Sequence, residues 1–355
     1  MNTADQDQVL FERRGVLGLI TLNRPQALNA LTAQMVEAML VQLQEWADDP
    51  QIHQVLIQGA GDRGLCAGGD IVAMYRDITG EQIREGVPPG QATADFWRME
   101  YRLNELIANY PKPYAALMDG VVLGGGIGIS AHGSLRIVTE RSRCGMPETM
   151  IGFVPDVGGT YLLSRSPGET GTHAALTGQQ FDAADAIYLG LADYYVPAAR
   201  LPELIETLTT HDAAEAVAAA AEVPEPSSLA SRQQWIDRCY EGDSLLAVVG
   251  ALREAAETDP EAGRALAAFE SRSPIALAVT LASLRRAARL PGLREVLDQE
   301  YRVGIRMLAQ PDMREGIRAQ VIDKDRDPQW QPAELAGVSA ETVGDFFTQQ
   351  EEHRD

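Results

Sequence analysis

The sequence is poor in cysteine, in metal-ligand spacings and in long apolar runs. Three cysteines, Cys66, Cys144 and Cys239, are too few and too scattered in 355 residues for a disulfide framework or a cysteine-rich zinc site. The histidines show no ligand spacing, so no metal is predicted. No run of 18 uncharged apolar residues suggests a membrane span. Residues 1–8 are polar and acidic, unlike a signal or transit peptide. These absences predict a cytoplasmic protein with reduced thiols.

Basic residues are scarce relative to acidic ones. The chain has 51 Asp and Glu against 30 Lys and Arg, which gives a net charge of −21. A field of that sign repels polyanions, so neither nucleic acid nor an anionic membrane surface is expected as a partner. An anionic small ligand would need local N–H groups and a few placed cations. Hydrophobic residues still make up 45% of the chain, which is the composition of a globular protein with a substantial core.

Short apolar runs alternate with helical patterns in the first 200 residues. Predicted strands cover residues 16–22, 55–57, 114–118 and 135–139, and predicted helices cover residues 31–46 and 96–109. This alternation predicts an α/β layer architecture with right-handed crossovers. After a breaker cluster at residues 223–228 the pattern becomes helical. We therefore predict a core at residues 1–200 and a helical region at residues 201–355 that packs on it.

Two glycine-rich segments, residues 59–70 and 124–128, follow predicted strands. The first contains the pattern G-x-G-x-x-G, but no helix opens at its third glycine, so a dinucleotide site is not favoured. If the two strands are neighbours, one backbone N–H from each segment can converge on a carbonyl oxygen and stabilise an oxyanion. The alternative is that these glycines only form tight turns. The two segments taken together favour the functional interpretation.

Several segments resemble the crotonase (enoyl-CoA hydratase/isomerase) superfamily. They are residues 20–30 (ITLNRPQALNA), 66–71 (CAGGDI) and 120–126 (GVVLGGG). Residues 146–159, 295–302 and 315–325 are most similar to the 3-hydroxyisobutyryl-CoA hydrolase branch of that superfamily. The resemblance implies an α/β, crotonase-like fold of stacked β-β-α turns with a helical C-terminal part. It also implies an acyl-CoA substrate and no separate cofactor, because CoA arrives as part of the substrate.

The resemblance also places binding residues on this sequence. It implies an oxyanion hole made by the N–H groups of Gly125 and Ala67, with Gly68 as the alternative to Ala67. It implies substrate contacts from Glu100, Gly68, Gly69, Asp70 and Gly124. It implies CoA contacts from Arg24, Ala27, Leu28, Asn29 and Lys324. For Lys324, a surface ion pair with Asp323 or Asp325 is an equally weighted alternative.

Carboxylate positions separate hydrolysis from hydration. Hydratases of the superfamily split water with two glutamates, and here Gly128 stands at the first of those positions while Glu148 occupies the second. The hydrolase pattern adds an acid eight residues after Glu148, at Asp156. Both acids lie in apolar surroundings, where a carboxylate needs a partner or a purpose. The alternatives are a first-turn helix residue for Glu148 and a turn residue for Asp156. If the two lie close together, the pKa of one of them rises.

These residues predict an acyl-CoA thioesterase. The expected reaction is hydrolysis of a short, branched 3-hydroxyacyl-CoA, 3-hydroxyisobutyryl-CoA in valine breakdown, to the free acid and CoA. Glu148 is expected to act either as nucleophile or as the base that activates water. Asp156 is expected to hold the substrate hydroxyl and to position water or protonate the thiolate, and Glu100 to help place the hydroxyl.

Two other functions and one assembly question stay open at this point. An enoyl-CoA hydratase or isomerase of the same superfamily is disfavoured by Gly128. A non-catalytic acyl-CoA-binding protein would fit if the carboxylates were exposed and the glycine segments did not meet. The tail at residues 295–325 carries apolar positions that need a surface to bury, so we expect it to pack over the core. A homo-oligomer is an open alternative.

Overall fold

The chain forms a mainly parallel sheet with helices packed against it. The structure is a computed structural model and describes residues 8–81 and 87–348. The strands are β1 (Val9–Arg14), β2 (Leu17–Leu22), β3 (Gln54–Gly59), β4 (Tyr114–Met118), β5 (Val121–Leu123), β6 (Leu135–Val138), β7 (Arg143–Gly145) and β8 (Tyr194–Tyr195). Within the described residues, six strands form one sheet in the order β1-β2-β3-β4-β6-β8, while β5 pairs with β7. Among the strands of the described residues, β1 and β2 are the one pair that runs antiparallel.

A second set of strand pairings accompanies the main sheet. Leu31 bridges to Gly69, and Cys66 bridges to Val122, which itself lies in the β5–β7 pair. Successive turns of chain therefore add a strand to the main sheet and then a short segment to this second set. That arrangement brings the two glycine-rich segments side by side.

Seven helices of the described residues lie between strands, and they range from half-buried to fully buried. They are α1 (Ala33–Asp48), α2 (Ile71–Ile78), α3 (Gln91–Ala108), α4 (Gly125–Gly128), α5 (Gly159–Leu163), α6 (Thr170–Thr177) and α7 (Ala183–Tyr188). Helix α1 begins where the Thr32 side chain accepts a hydrogen bond from the Met35 N–H at 3.2 Å, which caps the helix. Met35, Met39 and Leu43 then recur every four residues and are buried.

The helical region follows β8. Its helices are α8 (Leu201–Leu208), α9 (Ala213–Ala220), α10 (Ser228–Tyr240), α11 (Leu245–Ala255), α12 (Pro260–Glu270), α13 (Pro274–Ala287), α14 (Leu293–Leu308), α15 (Pro311–Ile317) and α16 (Ala340–Asp345). A π-helical turn at Arg318–Ile322 continues α15. Val296, Leu297 and Met307 of the tail are fully or almost fully buried. Helix α14 packs on α3 and α5, so this part of the tail lies over the strand-rich part of the chain.

The main sheet separates two apolar cores. Ile20 and Leu22 belong to the larger one, which also takes in α1 and much of the helical region. Leu17 and Leu19 belong to the smaller one, together with buried residues of α8 and α9. Because successive side chains of a strand point to opposite faces, the single strand β2 contributes to both cores.

The predicted alternation of strands and helices is confirmed, with differences at the margins. Strand β4 has the predicted bounds, whereas β3 extends beyond residues 55–57 because its ladder with β2 runs from Gln54 to Gly59. Strand β1 was not predicted, since most of its residues are exposed or half-buried at the edge of the sheet. Over the described ranges no single helix is long and apolar enough to cross a bilayer, and α12 with α13 passes only as a pair bent by 114°.

Candidate active site

A cavity of about 260 Å³ opens where the two glycine-rich segments meet. Its lining residues are Ala67, Gly68, Gly69, Ile71, Met74, Trp97, Glu100, Leu123, Gly124, Gly125, Pro147, Glu148, Met150, Ile151, Phe153, Asp156, Val157, Met313 and Gln320. The lining is mostly apolar and includes three carboxylates, with no Lys, Arg or His among the described residues that form it. An apolar pocket with a few convergent polar groups is the usual form of a small-molecule site.

Glycine is required where the two segments approach each other. Gly68 has φ of +106° and Gly124 has φ of +51°, a backbone region that side-chain-bearing residues rarely adopt. A Cβ built on Gly68 would lie 3.5 Å from the backbone nitrogen of Gly125. A side chain at Gly68 would therefore crowd the N–H groups that border the cavity.

The backbone N–H groups of these segments differ in whether they are already bonded. The Ala67 N–H donates to the Leu28 carbonyl at 3.0 Å, so the prediction that Ala67 serves as an oxyanion donor is wrong. The Gly68 N–H lies 3.4 Å from the sulfur of Cys66, a weak acceptor. In the part of the chain that the structure describes, the N–H groups of Gly69 and Gly125 have no acceptor.

Gly69 and Gly125 are also close in space. A Cβ built on Gly125 would lie 3.4 Å from the Gly69 nitrogen, and both residues line the cavity. These two N–H groups, rather than that of Ala67, are the pair available to a carbonyl oxygen. The sequence could not select between them, because three consecutive residues of one glycine-rich run all carry an N–H.

Three separate elements carry the carboxylates of the cavity. Glu100 comes from α3, Glu148 begins a single 3₁₀ turn (Glu148–Ile151), and Asp156 lies in the loop before α5. Their exposed fractions are 2%, 8% and 6%. Oε1 of Glu148 lies 2.7 Å from the place that a Cβ at Gly124 would take, and Oε1 of Glu100 is pressed against Gly125. The structure therefore brings together the acids that were predicted as catalytic and substrate-binding.

Two carboxylate oxygens in the cavity have no hydrogen-bond partner within the described chain. They are Oε1 of Glu100 and Oε2 of Glu148. Asp156 is different, since the Tyr101 hydroxyl donates to its Oδ2 at 2.7 Å. Buried polar atoms are nearly always paired, so bare oxygens in a cavity point to a bound molecule as the missing partner. No group of three or more His, Cys, Asp or Glu side chains in residues 8–81 and 87–348 has an arrangement suited to a metal ion.

Burial raises the pKa of all three carboxyl groups. The pKa of Asp156 rises to about 7, with the hydrogen bond from Tyr101 opposing the rise. The pKa values of Glu148 and Glu100 rise well above the usual range, through burial first and then through the negative charge of Asp156. The negative charge of Asp156 thus disfavours ionisation of both neighbouring glutamates. The site can offer a carboxylate and a carboxylic acid at the same time, which is what acid–base chemistry needs.

Gly128 has no room for the side chain that a hydratase carries at this position. A Cβ built there would lie 2.7 Å from the Val157 Cβ and 2.8 Å from Nδ2 of Asn104. Contacts below 3.0 Å force a neighbour to move. A glutamate at Gly128 would displace either the residue next to Asp156 or the buried amide of Asn104. The close packing around Gly128 therefore agrees with the absence of a carboxylate at this position.

Arg24 and Asp70 are paired with each other. The Arg24 guanidinium donates to Oδ2 of Asp70 at 3.1 Å and to the Ala30 carbonyl at 2.5 Å. Asp70 also accepts the Ala73 N–H at 3.2 Å and caps α2. It is not among the described residues that line the cavity, and its predicted contact with the substrate stays a prediction. The guanidinium predicted to meet a CoA phosphate is already bound to a carboxylate.

The predicted CoA turn is built around Asn29. Its side-chain amide donates to the carbonyls of Ala60 and Gly64 at 3.1 and 3.0 Å. Leu28 and Asn29 both adopt left-handed backbone angles, with φ of +51° and +54°. The Asn29 side chain therefore holds the turn in place, and the contacts of Ala27 and Leu28 with CoA stay predictions.

Lys324 has no ion-pair partner within the described residues. Asp323 and Asp325 both accept hydrogen bonds from Arg318 instead, at 2.7 and 2.5 Å. The ion-pair alternative for Lys324 is therefore wrong. Its contact with a CoA phosphate stays a prediction.

Sequence reasoning did not find the aromatic and C-terminal residues of the cavity. Trp97 stacks on Phe153 with ring centroids 4.8 Å apart, and Met313 and Gln320 reach the cavity from α15 and the π-helical turn. The position of Trp97, three residues before Glu100 on α3, was a usable signal because residues at that spacing share a helix face. No local pattern pointed to Gln320, which lies 220 residues from Glu100.

A larger cavity of about 850 Å³ lies elsewhere, between α11, α13, α14 and α16. Arg285, Arg286, Arg289 and Arg302 are among its lining residues, and Asp243 is the one acid among those described. It contains neither of the glycine-rich segments. The smaller cavity, with its carboxylates and unpaired N–H groups, is therefore the candidate active site.

Residues 17–347 match the family model described as enoyl-CoA hydratase/isomerase. The chain belongs to this family, and the predicted superfamily is confirmed. Two crystal structures confirm the predicted crotonase-like fold. A carnitinyl-CoA dehydratase from Mycobacterium thermoresistibile is 47% identical, with a TM-score of 0.91 and 98% of each chain covered. An enoyl-CoA hydratase from Rhodobacter sphaeroides is 42% identical, with a TM-score of 0.88 and 96% and 97% of the chains covered.

Curated relatives match nearly the whole chain. The mitochondrial 3-hydroxyisobutyryl-CoA hydrolase of Rattus norvegicus is 38% identical over 352 residues, which is 96% of this chain and 88% of the relative. The 3-hydroxyisobutyryl-CoA hydrolase 1 of Arabidopsis thaliana is 36% identical over 365 residues, with 99% and 94% covered. These matches confirm the predicted similarity to the hydrolase branch.

Proposed function

We propose that this protein hydrolyses 3-hydroxyisobutyryl-CoA, the thioester of a short, branched 3-hydroxy acid, to the free acid and CoA. The curated relatives carry this activity in their names and align over nearly the entire chain. The single observation that carries the proposal is the meeting of Glu100, Glu148 and Asp156 in one glycine-lined cavity. The closed space at Gly128 supports hydrolysis over hydration.

The thioester carbonyl would accept hydrogen bonds from the N–H groups of Gly69 and Gly125. Attack on the carbonyl carbon places negative charge on its oxygen, and two preorganised donors stabilise that charge. Removing one such donor typically costs ~3 kcal/mol in the barrier. No cation lies among the described lining residues, so these N–H groups are the ones suited to the task.

Glu148 would act in one of two ways. As nucleophile, its oxygen bonds to the carbonyl carbon and the C–S bond breaks. CoA then leaves as a thiolate that takes up a proton, and water cleaves the resulting anhydride. As base, Glu148 removes a proton from water while the water oxygen bonds to the carbonyl carbon, and a proton reaches the departing sulfur. Both routes convert thioester and water into acid and thiol.

Asp156 and Glu100 would recognise the 3-hydroxyl group and handle protons. When ionised, the Asp156 carboxylate can accept the hydrogen bond of a substrate hydroxyl. A protonated neighbour can supply the proton that the thiolate needs. The stacked rings of Trp97 and Phe153 offer an apolar wall to a branched acyl chain.

Other expectations from the sequence stay predictions. They are a part in valine breakdown, a cytoplasmic location, the absence of a separate cofactor, and contacts of Ala27, Leu28 and Lys324 with CoA. The named rat relative is mitochondrial, which differs from the predicted location. A homo-oligomer is still an open alternative.

Hydration or dehydration is the rival activity, since the two crystal structures with the higher identities are described as a dehydratase and a hydratase. The test is a substrate panel with the wild-type protein. Release of CoA thiol would be followed with 3-hydroxyisobutyryl-CoA, isobutyryl-CoA, 3-hydroxybutyryl-CoA and carnitinyl-CoA. Hydration of crotonyl-CoA would be measured in parallel.

We expect kcat/KM for thiol release to be highest with 3-hydroxyisobutyryl-CoA and at least ~10-fold lower with isobutyryl-CoA. The lost hydroxyl leaves buried acids without their partner, which accounts for that difference. Faster hydration of crotonyl-CoA than thiol release from any substrate would make the protein a hydratase. Tight binding of all thioesters without turnover would identify the protein as a non-catalytic acyl-CoA-binding protein.

A further inference from the structure

Glu300 is a buried carboxylate that the proposed reaction does not use. It lies on α14, in the helical region, and is 1% exposed. Its Oε2 accepts the Gly158 N–H at 2.7 Å, and its Oε1 accepts the Thr160 N–H at 2.9 Å and the Thr160 hydroxyl at 2.5 Å. One side chain thus binds three donors of the segment that follows Asp156.

The segment after Asp156 needs such support. Val157 has φ of +52° and Gly158 has φ of +79°. A left-handed conformation is unfavourable for a β-branched residue such as valine. The segment also exposes the first N–H groups of α5, which have no acceptor within that helix. Both features persist only if surrounding groups hold the backbone in place.

Helix α14 reaches Asp156 from a second direction. Tyr301 follows Glu300, and its ring meets that of Tyr101 edge to face with centroids 6.3 Å apart. The Tyr101 hydroxyl donates to Oδ2 of Asp156 at 2.7 Å. The backbone of Asp156 is therefore tied to α14 through Glu300, and its carboxylate through Tyr101.

We propose that Glu300 is a positioning residue, which holds the turn at residues 157–160 so that the Asp156 carboxylate faces the substrate. The proposal rests on the proposed function. It assigns to the helical region a direct part in building the active site, beyond covering the core.

The charges around Glu148 give the proposal a pH signature. Asp156, Glu300 and Glu100 all raise the pKa of Glu148, after burial as the main cause. The pKa of Glu300 itself rises to about 8 through burial, opposed by the hydrogen bonds from Thr160 and Gly158. His132, whose ring nitrogen lies 2.8 Å from the Val157 carbonyl, has its pKa lowered to about 4 by burial and is neutral. Glu300 is therefore charged only toward alkaline pH, and Glu300→Gln should lower the pKa of Glu148 only there.

The main test is Glu300→Gln, with Asp298→Asn as the control on the exposed side of the same helix. In the Gln variant the amide oxygen keeps the bonds from Thr160, but the NH₂ group faces the Gly158 N–H, donor against donor. We expect kcat to fall about 10- to 100-fold with KM changed less than about threefold, because a small displacement of Asp156 affects chemistry more than binding. The shape of the pH profile should differ from that of wild type only toward alkaline pH, where wild-type Glu300 carries charge. Asp298→Asn should match wild type in each measurement.

Substitutions at Thr160 test the positioning role of Glu300 independently, in case Glu300→Gln fails to fold. Thr160→Val removes only the hydroxyl bond to Glu300, and Thr160→Ser keeps it. We expect a smaller loss of kcat in the Val variant, rescue in the Ser variant, and non-additive effects when Thr160→Val is combined with Glu300→Gln. An unchanged kcat in both Glu300→Gln and Thr160→Val would overturn the proposal, as would equal effects of Val and Ser.

Hydrogen exchange separates failure of this proposal from failure of the proposed function. The Gly158 amide should exchange faster in Glu300→Gln than in wild type, whatever the substrate is, because it loses its acceptor. If wild type releases no CoA from 3-hydroxyisobutyryl-CoA, the proposed function fails while the exchange result still shows whether Glu300 holds the turn. Unchanged exchange of the Gly158 amide in an active, folded Glu300→Gln protein would contradict the positioning role of Glu300 and leave the proposed function unaffected.

Discussion

Two of the regions that bury carboxylates in this molecule hold them in opposite ways. At the junction of α7 and α10, Asp185 accepts the hydroxyls of Ser227 and Ser228 at 2.7 and 2.9 Å and the Leu229 N–H at 2.9 Å. In the candidate active site, one oxygen each of Glu100 and Glu148 has no partner among the described residues. The first arrangement joins two helices. The second leaves acceptors free for a substrate and raises the pKa of the acids that carry them.

The difference teaches that burial alone does not mark a functional acid. Asp185 and Glu148 are similarly buried, yet one has its hydrogen bonds satisfied and the other does not. A satisfied carboxylate stabilises the fold, whereas an unsatisfied one is costly to the folded state and available to chemistry. Substitutions in the two regions should therefore separate activity from stability.

The largest expected effect is on activity, at Glu148. Glu148→Gln removes the nucleophile or the base while keeping the size of the side chain. We expect thiol release in single turnover to fall by about 10⁴-fold or more, since removing a catalytic nucleophile or base has effects of that order. Asp156→Asn should lose about 10²- to 10⁴-fold. Substrate affinity should change much less in both, and a Glu148→Gln protein within tenfold of wild type would contradict the mechanism.

The next effect is on stability, at the junction of α7 and α10. Asp185→Ala leaves two hydroxyls and an N–H without their acceptor, so we expect the free energy of unfolding to fall by about 2–4 kcal/mol. Asp185→Asn keeps one acceptor oxygen and should lose less. Urea unfolding measures the change, and kcat/KM below the unfolding transition should stay within twofold of wild type. A large loss of kcat/KM in folded Asp185→Ala would place this residue with the active site instead.

The smallest effect expected is a gain in stability, at Glu100. The pKa of Glu100 is raised in the folded state, so the folded protein holds this proton over a pH range where the unfolded chain has released it. The free energy of unfolding therefore falls as pH rises from the unfolded value near 4.5 towards the raised folded value. Glu100→Gln should make that slope shallower and stabilise the protein by about 1–2 kcal/mol at pH 8.

Urea unfolding at several values between pH 5 and pH 8.5 tests the Glu100 prediction. Glu105→Gln, on the same helix but half-exposed, is the matched control and should leave the slope as it is in wild type. An identical pH slope for Glu100→Gln and wild type would mean that the folded protein does not hold this proton.

The sequence predicted some elements of the fold and some residues of the site, but not others. Strand β4 and helix α1 were predicted because an apolar run and a four-residue repeat are local patterns. Edge strand β1 was missed because exposure removes the alternation that marks a strand. Glu100, Glu148 and Asp156 were found through the resemblance. Tyr101 and Glu300 were not, because their importance lies in contacts with residues more than 50 positions away.

The sequence by itself determined the α/β class, the glycine-rich segments and the identity of the clustered acids, since each of these depends on neighbouring residues along the chain. Only the tertiary structure decided which N–H groups are free. Ala67 is bonded to Leu28, whereas Gly69 and Gly125 have no acceptor among the described residues. It also decided that Asp70 pairs with Arg24 and that Glu300 binds the turn after Asp156. The physical reason is that a hydrogen bond depends on which groups the folded chain brings within about 3 Å, and residues far apart in sequence meet only when the turns stack.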